Sequence, residues 1–253
     1  MRRRVLVIGL DCVPPELVFE RFRDKLPNIN ALLKAGAYGP IESVIPPITV
    51  PAWACMMTGR SPGELGVYGF RNRRDYSYEL SLVSSRSIQA KAVWDYLSEA
   101  GKESIVIGVP PAYPPKHVKG SMISCFLTPS AKAQYTYPPQ LKAELENLVG
   151  EYLFDVKEFR TEDKAGLLNR IYELTEQRFK VVKHLMTTKP WDFFVFVEMG
   201  PDRLHHGFWK YCDPQHVKYE AGNPFEHALL DYYRYLDGKL GEILELVEES
   251  TIL

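Results

Sequence analysis

The chain has 253 residues, which is enough for one large α/β domain with a substantial core or for two small domains. Its composition, 45% hydrophobic and 25% charged, is that of an ordinary soluble globular protein. The formal net charge of −1 gives no overall attraction to nucleic acid or to an anionic membrane, so neither is expected as a partner. No stretch approaches the ~18 consecutive apolar residues that a membrane span needs.

The four cysteines are scattered along the chain and form no CxxC pair. They are Cys12, Cys55, Cys125 and Cys212. This pattern is typical of a reduced, cytoplasmic protein and predicts neither a disulfide framework nor a thiolate zinc site.

In the first half of the chain, short apolar runs alternate with helical patterns. Residues 4–10, RVLVIGL, have the length and β-branched content of a buried strand. A helical pattern follows over residues 14–36, interrupted at Pro27, and residues 38–45 predict a second strand. Residues 50–59 predict a short helix that ends at a glycine.

The second half continues the alternation. Residues 91–101 predict a helix and residues 103–109 a buried strand. Apolar residues at helical spacing predict two long helices, within 164–187 and 224–250, on either side of a strand at 192–198. Such alternation predicts a mainly parallel sheet with helices on both faces, and folds of this kind bind ligands beyond the carboxyl ends of their strands.

The sequence therefore predicts one α/β domain over residues 1–253, with loop or helical insertions around 60–90 and 110–190. The last residues, 251–253, follow a long amphipathic helix and resemble the start of another buried strand. We therefore expect the fold to be incomplete at its C-terminus, with an exposed sheet edge that favours self-association.

Three clusters of polar residues could carry chemistry, and the first is Asp11, directly after the first strand. A carboxylate at the tip of a strand is well placed to bind a metal or a phosphate-linked group. Aspartate is also a favoured helix N-cap residue, so capping of the next helix is an equal alternative.

The second cluster is Thr49, just ahead of the helix predicted over 50–59. A hydroxyl there lies among unpaired backbone N–H groups at the positive end of the helix dipole, a setting that suits a phosphate and an activated nucleophile. The alternative is a plain N-cap, and one side-chain rotamer cannot serve both roles.

The third cluster is the segment GPDRLHHGFW, residues 200–209. If it is helical, Asp202 and His206 are four residues apart on one face and can share a metal. His205 then points elsewhere, to hold a ligand carboxylate or a substrate phosphate. The alternative is a surface turn with adventitious histidines.

Together the three clusters resemble the type I phosphodiesterase/nucleotide pyrophosphatase family of the alkaline phosphatase superfamily, and in particular its predicted phosphohydrolase or phosphomutase members. The similarity lies in VLVIGLDCVPPELV, in LPNINALLKAGAYGPIESVIPPITVPAWACMMTGRSPGELGVYGF and in GPDRLHHGFWKY, which together span the chain. It implies an alkaline-phosphatase-like α/β fold.

The resemblance also implies a role for four residues. Asp11 and Thr49 would bind one divalent metal, Asp202 and His206 a second, with zinc expected and manganese as the alternative. Thr49 would attack phosphorus in line, and metal-activated water would hydrolyse the resulting phosphothreonine. Substrates of the family are small phosphate esters, nucleotide-like compounds among them.

The sequence departs from the family pattern in two places. Phe70 stands where the family has an asparagine that contacts the phosphoryl oxygens, and Asn72 or Arg71 is the predicted substitute. The family also completes its metal sites with a later Asp-His pair and a further histidine, which have no counterpart in this sequence. Each metal would then have two protein ligands, so we expect weak metal binding and impaired activity in this chain.

Two other functions fit the same residues. A phosphomutase would use the same metal core and return the phosphoryl group to its substrate, which requires a cap that excludes water. A non-catalytic relative would keep the fold as a binding module. Phosphate release as opposed to intramolecular transfer would distinguish a hydrolase from a mutase, and failure to cleave any activated phosphate ester or diester with Zn²⁺ or Mn²⁺ would favour the non-catalytic relative.

Overall fold

A computed structural model of the protein, which describes residues 3–73, 75–247 and 251–252, contains a central six-stranded sheet. The strands are β1 (Arg4–Leu10), β2 (Arg71–Arg73), β3 (Leu80–Leu82), β4 (Ser104–Ile107), β5 (Gly120–Ile123), β6 (Thr136–Tyr137), β7 (Phe193–Glu198) and β8 (Thr251–Ile252). The order in the sheet is β6-β5-β4-β7-β1-β8, while β2 and β3 form a separate antiparallel hairpin. All neighbours in the sheet are parallel except β6, which runs antiparallel to β5. The predicted mainly parallel sheet is confirmed.

Eight α-helices connect these strands among the described residues. They are α1 (Pro27–Ala35), α2 (Thr49–Thr58), α3 (Pro62–Leu65), α4 (Val93–Glu99), α5 (Leu141–Val149), α6 (Lys164–Thr188), α7 (Gly200–Cys212) and α8 (Ala228–Leu244). The predicted helices are present, except that the part of the 14–36 pattern before Pro27 forms a π-helical segment (Glu16–Arg21) and a 3-10 segment (Arg23–Lys25) in place of an α-helix. The interruption predicted at Pro27 is the start of α1, since proline is tolerated at the first helical position. Within the described part of the chain, no helix has the length and apolarity of a membrane span.

The sheet separates two apolar cores. Along β7, Phe194 and Phe196 face one core, which holds residues of α6, α7 and α8, while Val195 and Val197 face the other, which holds residues of α2 and α4. Side chains of a strand alternate between its two faces, so a strand buried on both faces must be apolar throughout. This explains the apolar run over residues 193–197 of β7. The sixth residue, Glu198, is also buried, and its carboxyl group is hydrogen-bonded.

The strand predicted over residues 38–45 is absent, and that prediction was wrong. The segment has no regular secondary structure and no neighbouring strand, and the side chains of Ile41 and Ile45 are 93% and 81% exposed. Pro40 and Pro46 lack the N–H that a sheet partner would accept, which excludes the segment from the middle of a sheet.

Two regions expected to hold insertions contain regular elements. Residues 60–90 carry α3 and the β2–β3 hairpin, and residues 110–190 carry β5, β6 and the core helix α6. The strand predicted after α8 is present as β8, whose Thr251 and Ile252 pair with Arg4 and Val5 of β1. Leu253, the last residue of that prediction, lies outside the described residues.

Candidate functional site

The site lies where β1 and β7, neighbours in the sheet, end at the same level. Leu10 pairs with Glu198, and the backbone N–H of Asp11 donates to the carbonyl oxygen of Glu198 at 3.0 Å. Asp11 and the first turn of α7 therefore leave the sheet side by side at its carboxyl edge. This is the edge at which open α/β folds bind their ligands.

A cavity of about 480 Å³ opens at this edge. Its lining includes the four residues predicted to bind metal and to attack phosphorus, which are Asp11, Thr49, Asp202 and His206. Cys12, Phe70, Phe126, Met199 and Arg203 contribute further side chains to the wall. Residues that are far apart in the sequence thus come together around one space of the size that holds a small molecule.

The Asp11 carboxyl group is buried and only half satisfied. Its Oδ1 accepts a hydrogen bond from Trp53 Nε1 at 3.1 Å, and its Oδ2 is buried with no hydrogen-bond partner among the described residues. Burial raises the pKa of Asp11 to about 6, against the lowering effects of Trp53 and Thr49. Asp11 does not cap the following helical turn, because that turn begins at Glu16.

Thr49 is the first residue of α2, which begins one residue earlier than predicted. The N-cap position is occupied by Ile48, which makes no side-chain cap hydrogen bond. The Thr49 side chain instead lines the cavity, and its hydroxyl has a small lowering effect on the pKa of the Asp11 carboxyl group. It lies in the turn where helix N–H groups have no internal partner, so an anion in the cavity is attracted to this end of α2.

Asp202 and His206 lie on one face of α7, as their spacing predicted. Asp202 Oδ1 is 3.4 Å from His206 Nε2, with the aspartate buried and the histidine exposed. His205 points away from the cavity and stacks on Tyr233, whose hydroxyl lies 3.1 Å from His205 Nε2. Burial lowers the pKa of His205 to about 4, so the ring is neutral at pH 7.

Arg71 and Asn72, predicted to contact substrate, are placed on β2 and do not line the cavity. The Asn72 amide donates to the Gly66 carbonyl at 2.7 Å and its oxygen accepts from the Tyr68 N–H at 3.2 Å. Its side chain therefore holds the loop before β2. Phe70, which stands where the family has an asparagine, lines the cavity.

Sequence reasoning missed three residues that support the site. Trp53 donates to Asp11, and Arg203 joins Asp155 to Asp202 through its guanidinium group. Arg203 directly follows Asp202 in the sequence, a signal that could have been used. Nothing in the sequence indicates the contact with Asp155, because it depends on how the loop before α6 folds.

The donor atoms of this cavity suit a divalent metal. Carboxylate oxygen and imidazole nitrogen are ordinary zinc ligands, and the unpartnered Asp11 Oδ2 is a buried acceptor that a cation would satisfy. No three such side chains converge within the described ranges, so the residues form two pairs and not a complete ligand set.

The first turn of α7 is fixed by a buried polar group beneath the site. Glu198 Oε1 accepts from the Gly200 N–H at 2.8 Å and from the Thr175 hydroxyl at 3.0 Å. A Cβ on Gly200 would lie 1.9 Å from the Tyr232 hydroxyl and 2.6 Å from Glu198 Oε1. Only glycine fits at this position.

We therefore expect Gly200→Ala to lower the free energy of unfolding by at least about 1–3 kcal/mol through overpacking, measured by urea denaturation. Gly238→Ala is the matched control, because a Cβ at this position in α8 meets nothing within 4 Å. Alanine there should stabilise the protein by about 0.5–1 kcal/mol. Equal stability of the two variants would contradict this description of α7.

Comparisons with known proteins agree with this description. Residues 5–253 match the family described as type I phosphodiesterase/nucleotide pyrophosphatase. No curated protein is significantly similar to the chain in sequence.

Among solved structures, the phosphonoacetate hydrolase of Sinorhizobium meliloti 1021 in complex with phosphonoacetate is similar, with a TM-score of 0.60 and 18% identity over 97% of this chain. The same enzyme in complex with phosphonoformate gives a TM-score of 0.59, also at 18% identity over 97% of this chain. In both cases the match covers 54% of the solved chain, so this chain spans about half the length of those structures. The similarity confirms the predicted mainly parallel sheet flanked by helices. Because the family match extends over nearly the whole sequence, the chain belongs to the type I phosphodiesterase/nucleotide pyrophosphatase family.

Proposed function

We propose that the chain carries the nucleophile and part of the metal-binding residues of a metal-dependent phosphohydrolase of the phosphodiesterase/pyrophosphatase type. One observation carries this proposal. The Thr49 hydroxyl, in the first turn of α2, shares a cavity with Asp11 and with the Asp202–His206 pair. A hydroxyl nucleophile and carboxylate and imidazole ligands around one space are the groups that phosphoryl transfer needs.

The reaction proceeds in two displacements at phosphorus. In the first, Thr49 Oγ1 forms a bond to phosphorus while the bond to the leaving oxygen breaks, and the leaving alcohol takes up a proton. In the second, water attacks the phosphothreonine, inorganic phosphate or a phosphomonoester leaves, and the Thr49 hydroxyl is restored. The backbone N–H groups at the start of α2 attract the negative phosphoryl oxygens in both steps.

Asp11 and Thr49 would hold one divalent cation, and Asp202 and His206 a second. When bound, these cations supply the positive charge that stabilises the attacking and leaving oxygens. The two carboxylates lie in the same cavity, and repulsion from Asp202 adds to burial in raising the pKa of Asp11. A bound cation would relieve the repulsion between these two carboxylates, which favours cation binding in the cavity. Zinc suits the mixed oxygen and nitrogen donors, and manganese is the alternative.

The cavity suits a small phosphate ester. Its apolar wall includes Phe70 and Phe126, whose rings meet edge to face with centroids 6.0 Å apart. An apolar part of a substrate can pack on these rings while its phosphoryl group faces Thr49. The neighbouring solved structures hold the small anions phosphonoacetate and phosphonoformate, which supports a substrate of this size.

The covalent intermediate provides the direct test. The full natural polypeptide that contains these residues should be mixed with bis(p-nitrophenyl) phosphate or p-nitrophenyl phosphate in Zn²⁺ or Mn²⁺ and quenched in acid. With p-nitrophenyl phosphate, peptide mass spectrometry should find one phosphoryl group on Thr49, and p-nitrophenol and inorganic phosphate should be released. With the diester, the group on Thr49 should be a p-nitrophenyl phosphoryl group, and p-nitrophenol and p-nitrophenyl phosphate should be released. Transfer of the phosphoryl group back to the organic product would indicate a mutase, and no reaction with any activated ester would indicate a non-catalytic relative.

Metal binding depends on α7. We expect His206→Ala to weaken Zn²⁺ binding by at least about 10- to 100-fold, because the loss of a ligand costs no less than the loss of a group that only orients one. Isothermal titration calorimetry of the chain with Zn²⁺ measures this change. His216→Ala, which removes a histidine outside the cavity, is the control and should bind as the unmodified chain does. Identical affinities for the two variants would exclude His206 as a ligand.

A further inference from the structure

Arg203 brings a positive charge to the wall of the cavity. Among the described residues that line it, Arg203 is the only arginine or lysine. Its side chain is 17% exposed, so the guanidinium group is largely withdrawn from bulk water. A charge in this position acts more strongly on a bound anion than a solvated surface charge does.

The guanidinium group is fixed in orientation by two carboxylates. Nε and Nη2 donate to the two oxygens of Asp155 at 2.5 and 2.7 Å, and Nη1 donates to Asp202 Oδ2 at 2.5 Å. An arginine has five N–H donors, so two remain after these three hydrogen bonds. Asp155 does not line the cavity, so it contacts the guanidinium group of Arg203 from outside the cavity.

Two aromatic rings complete the setting. The guanidinium carbon lies 5.6 Å from the ring centroid of Phe126 and 6.0 Å from that of Phe159. Together with the bidentate ion pair, these rings leave the side chain little conformational freedom to lose when a ligand binds. A donor whose position is set in advance binds more tightly than a mobile one.

We propose that Arg203 binds an anionic oxygen of the substrate's phosphoryl group, and that Asp155 is the positioning residue that aims it. This inference rests on the proposed function, because it adds a substrate contact to the same cavity. The planar guanidinium group pairs with phosphate oxygens in defined directions, which an ammonium group does not do. Its charge also offsets the repulsion between a phosphate and the carboxylates of Asp11 and Asp202.

Binding of inorganic phosphate to the chain, measured by isothermal titration calorimetry with and without Mn²⁺, tests the proposal. Arg203→Gln should weaken binding about 10- to 100-fold, the value of one charged hydrogen-bonded contact. Arg203→Lys should recover part of this loss, since it keeps the charge and loses the fixed geometry. Asp155→Asn should weaken binding by a smaller factor, about 3- to 10-fold.

The double variant Arg203→Gln with Asp155→Asn separates positioning from a general structural role. If Asp155 acts through Arg203, the double variant should bind phosphate no more weakly than Arg203→Gln alone. Arg234 and Asp231 form an exposed ion pair on α8 and serve as matched controls. Arg234→Gln and Asp231→Asn change the net charge by the same amounts and should leave phosphate affinity unchanged.

Unaltered phosphate affinity in a folded Arg203→Gln would overturn the proposal, as would the absence of saturable phosphate binding by the unmodified chain in both conditions. If Arg203→Gln does not fold, phosphate binding by Asp155→Asn is the deciding measurement. Unchanged phosphate affinity in that variant would exclude the positioning role of Asp155. Affinity is read at equilibrium and does not depend on turnover. Failure of the proposed function would instead be seen as hydrolysis that survives the loss of the Thr49 hydroxyl.

Discussion

Replacing Thr49 with alanine should reduce hydrolysis of a p-nitrophenyl phosphate ester or diester by roughly 10³-fold or more, the scale of losing a catalytic nucleophile. The loss should lie in kcat, because Thr49 forms its bond to phosphorus only during reaction. The fold should be unaffected, since the N-cap position of α2 belongs to Ile48 and the Thr49 hydroxyl does not cap the helix. Steady-state kinetics on the full natural polypeptide, with urea denaturation alongside, measure both quantities.

Two further variants sharpen this test. Thr49→Ser keeps the nucleophilic oxygen and should retain part of the rate. Thr58→Ala, at the opposite end of α2, removes a hydroxyl that donates to the Ala54 carbonyl at 2.7 Å and should leave the rate unchanged. A Thr49→Ala enzyme that keeps most of its activity would exclude the phosphothreonine mechanism.

Asp11→Asn should have opposite effects on stability and on function. Without metal, the Asp11 carboxyl group has a pKa of about 6 in the folded chain, against an ordinary value of 3.8. The folded state therefore holds this proton more tightly than the unfolded state does, and stability falls as the pH rises from about 4 to 6. Removing the ionisable group should raise the free energy of unfolding at pH 8 by about 1–3 kcal/mol, with little change at pH 4. The asparagine oxygen can still accept from Trp53.

The same substitution should reduce turnover by at least about 100-fold, because it removes an anionic metal ligand. Urea denaturation in EDTA at both pH values gives the stability, and the ester assay with added metal gives the activity. Asp24→Asn, at an exposed position, is the control and should change neither quantity. If Asp11→Asn is less stable than the unmodified chain at pH 8, the expectation that the buried Asp11 charge destabilises the folded state is contradicted.

Most of the fold could be predicted because its signals are local. The long helices α6 and α8 carry apolar residues at helical spacing, and β1 and β7 are apolar runs bounded by polar residues. Strands β5 and β6 have four and two residues in segments rich in proline and polar side chains, too short for a periodic signal. The segment at 38–45 has strand-like composition, but no partner strand lies beside it.

The residues of the candidate site likewise fall into those with a local sequence signal and those without one. Asp11 follows from the rule that ligands gather at strand ends, Thr49 from its place at the start of a helix, and the Asp202–His206 pair from spacing within one helix. Arg203 and its contact with Asp155 join two segments that are distant in the sequence, so no local pattern contains them. Asn72 was predicted as a substrate contact, but its side chain meets the hydrogen-bonding needs of its own loop.

The pairing of β1 with β7 also determines when the cavity can form during synthesis. Val5 of β1 pairs with Phe193 of β7. Because β1 is synthesised first, it cannot pair with β7 until residues 193–198 have left the ribosome. Contacts of such long sequence separation form late and slowly. Until then the apolar residues of β1 are exposed on the nascent chain, where they are open to aggregation or to chaperone binding. Asp11 and Thr49 consequently meet Asp202 only after most of the polypeptide has been made.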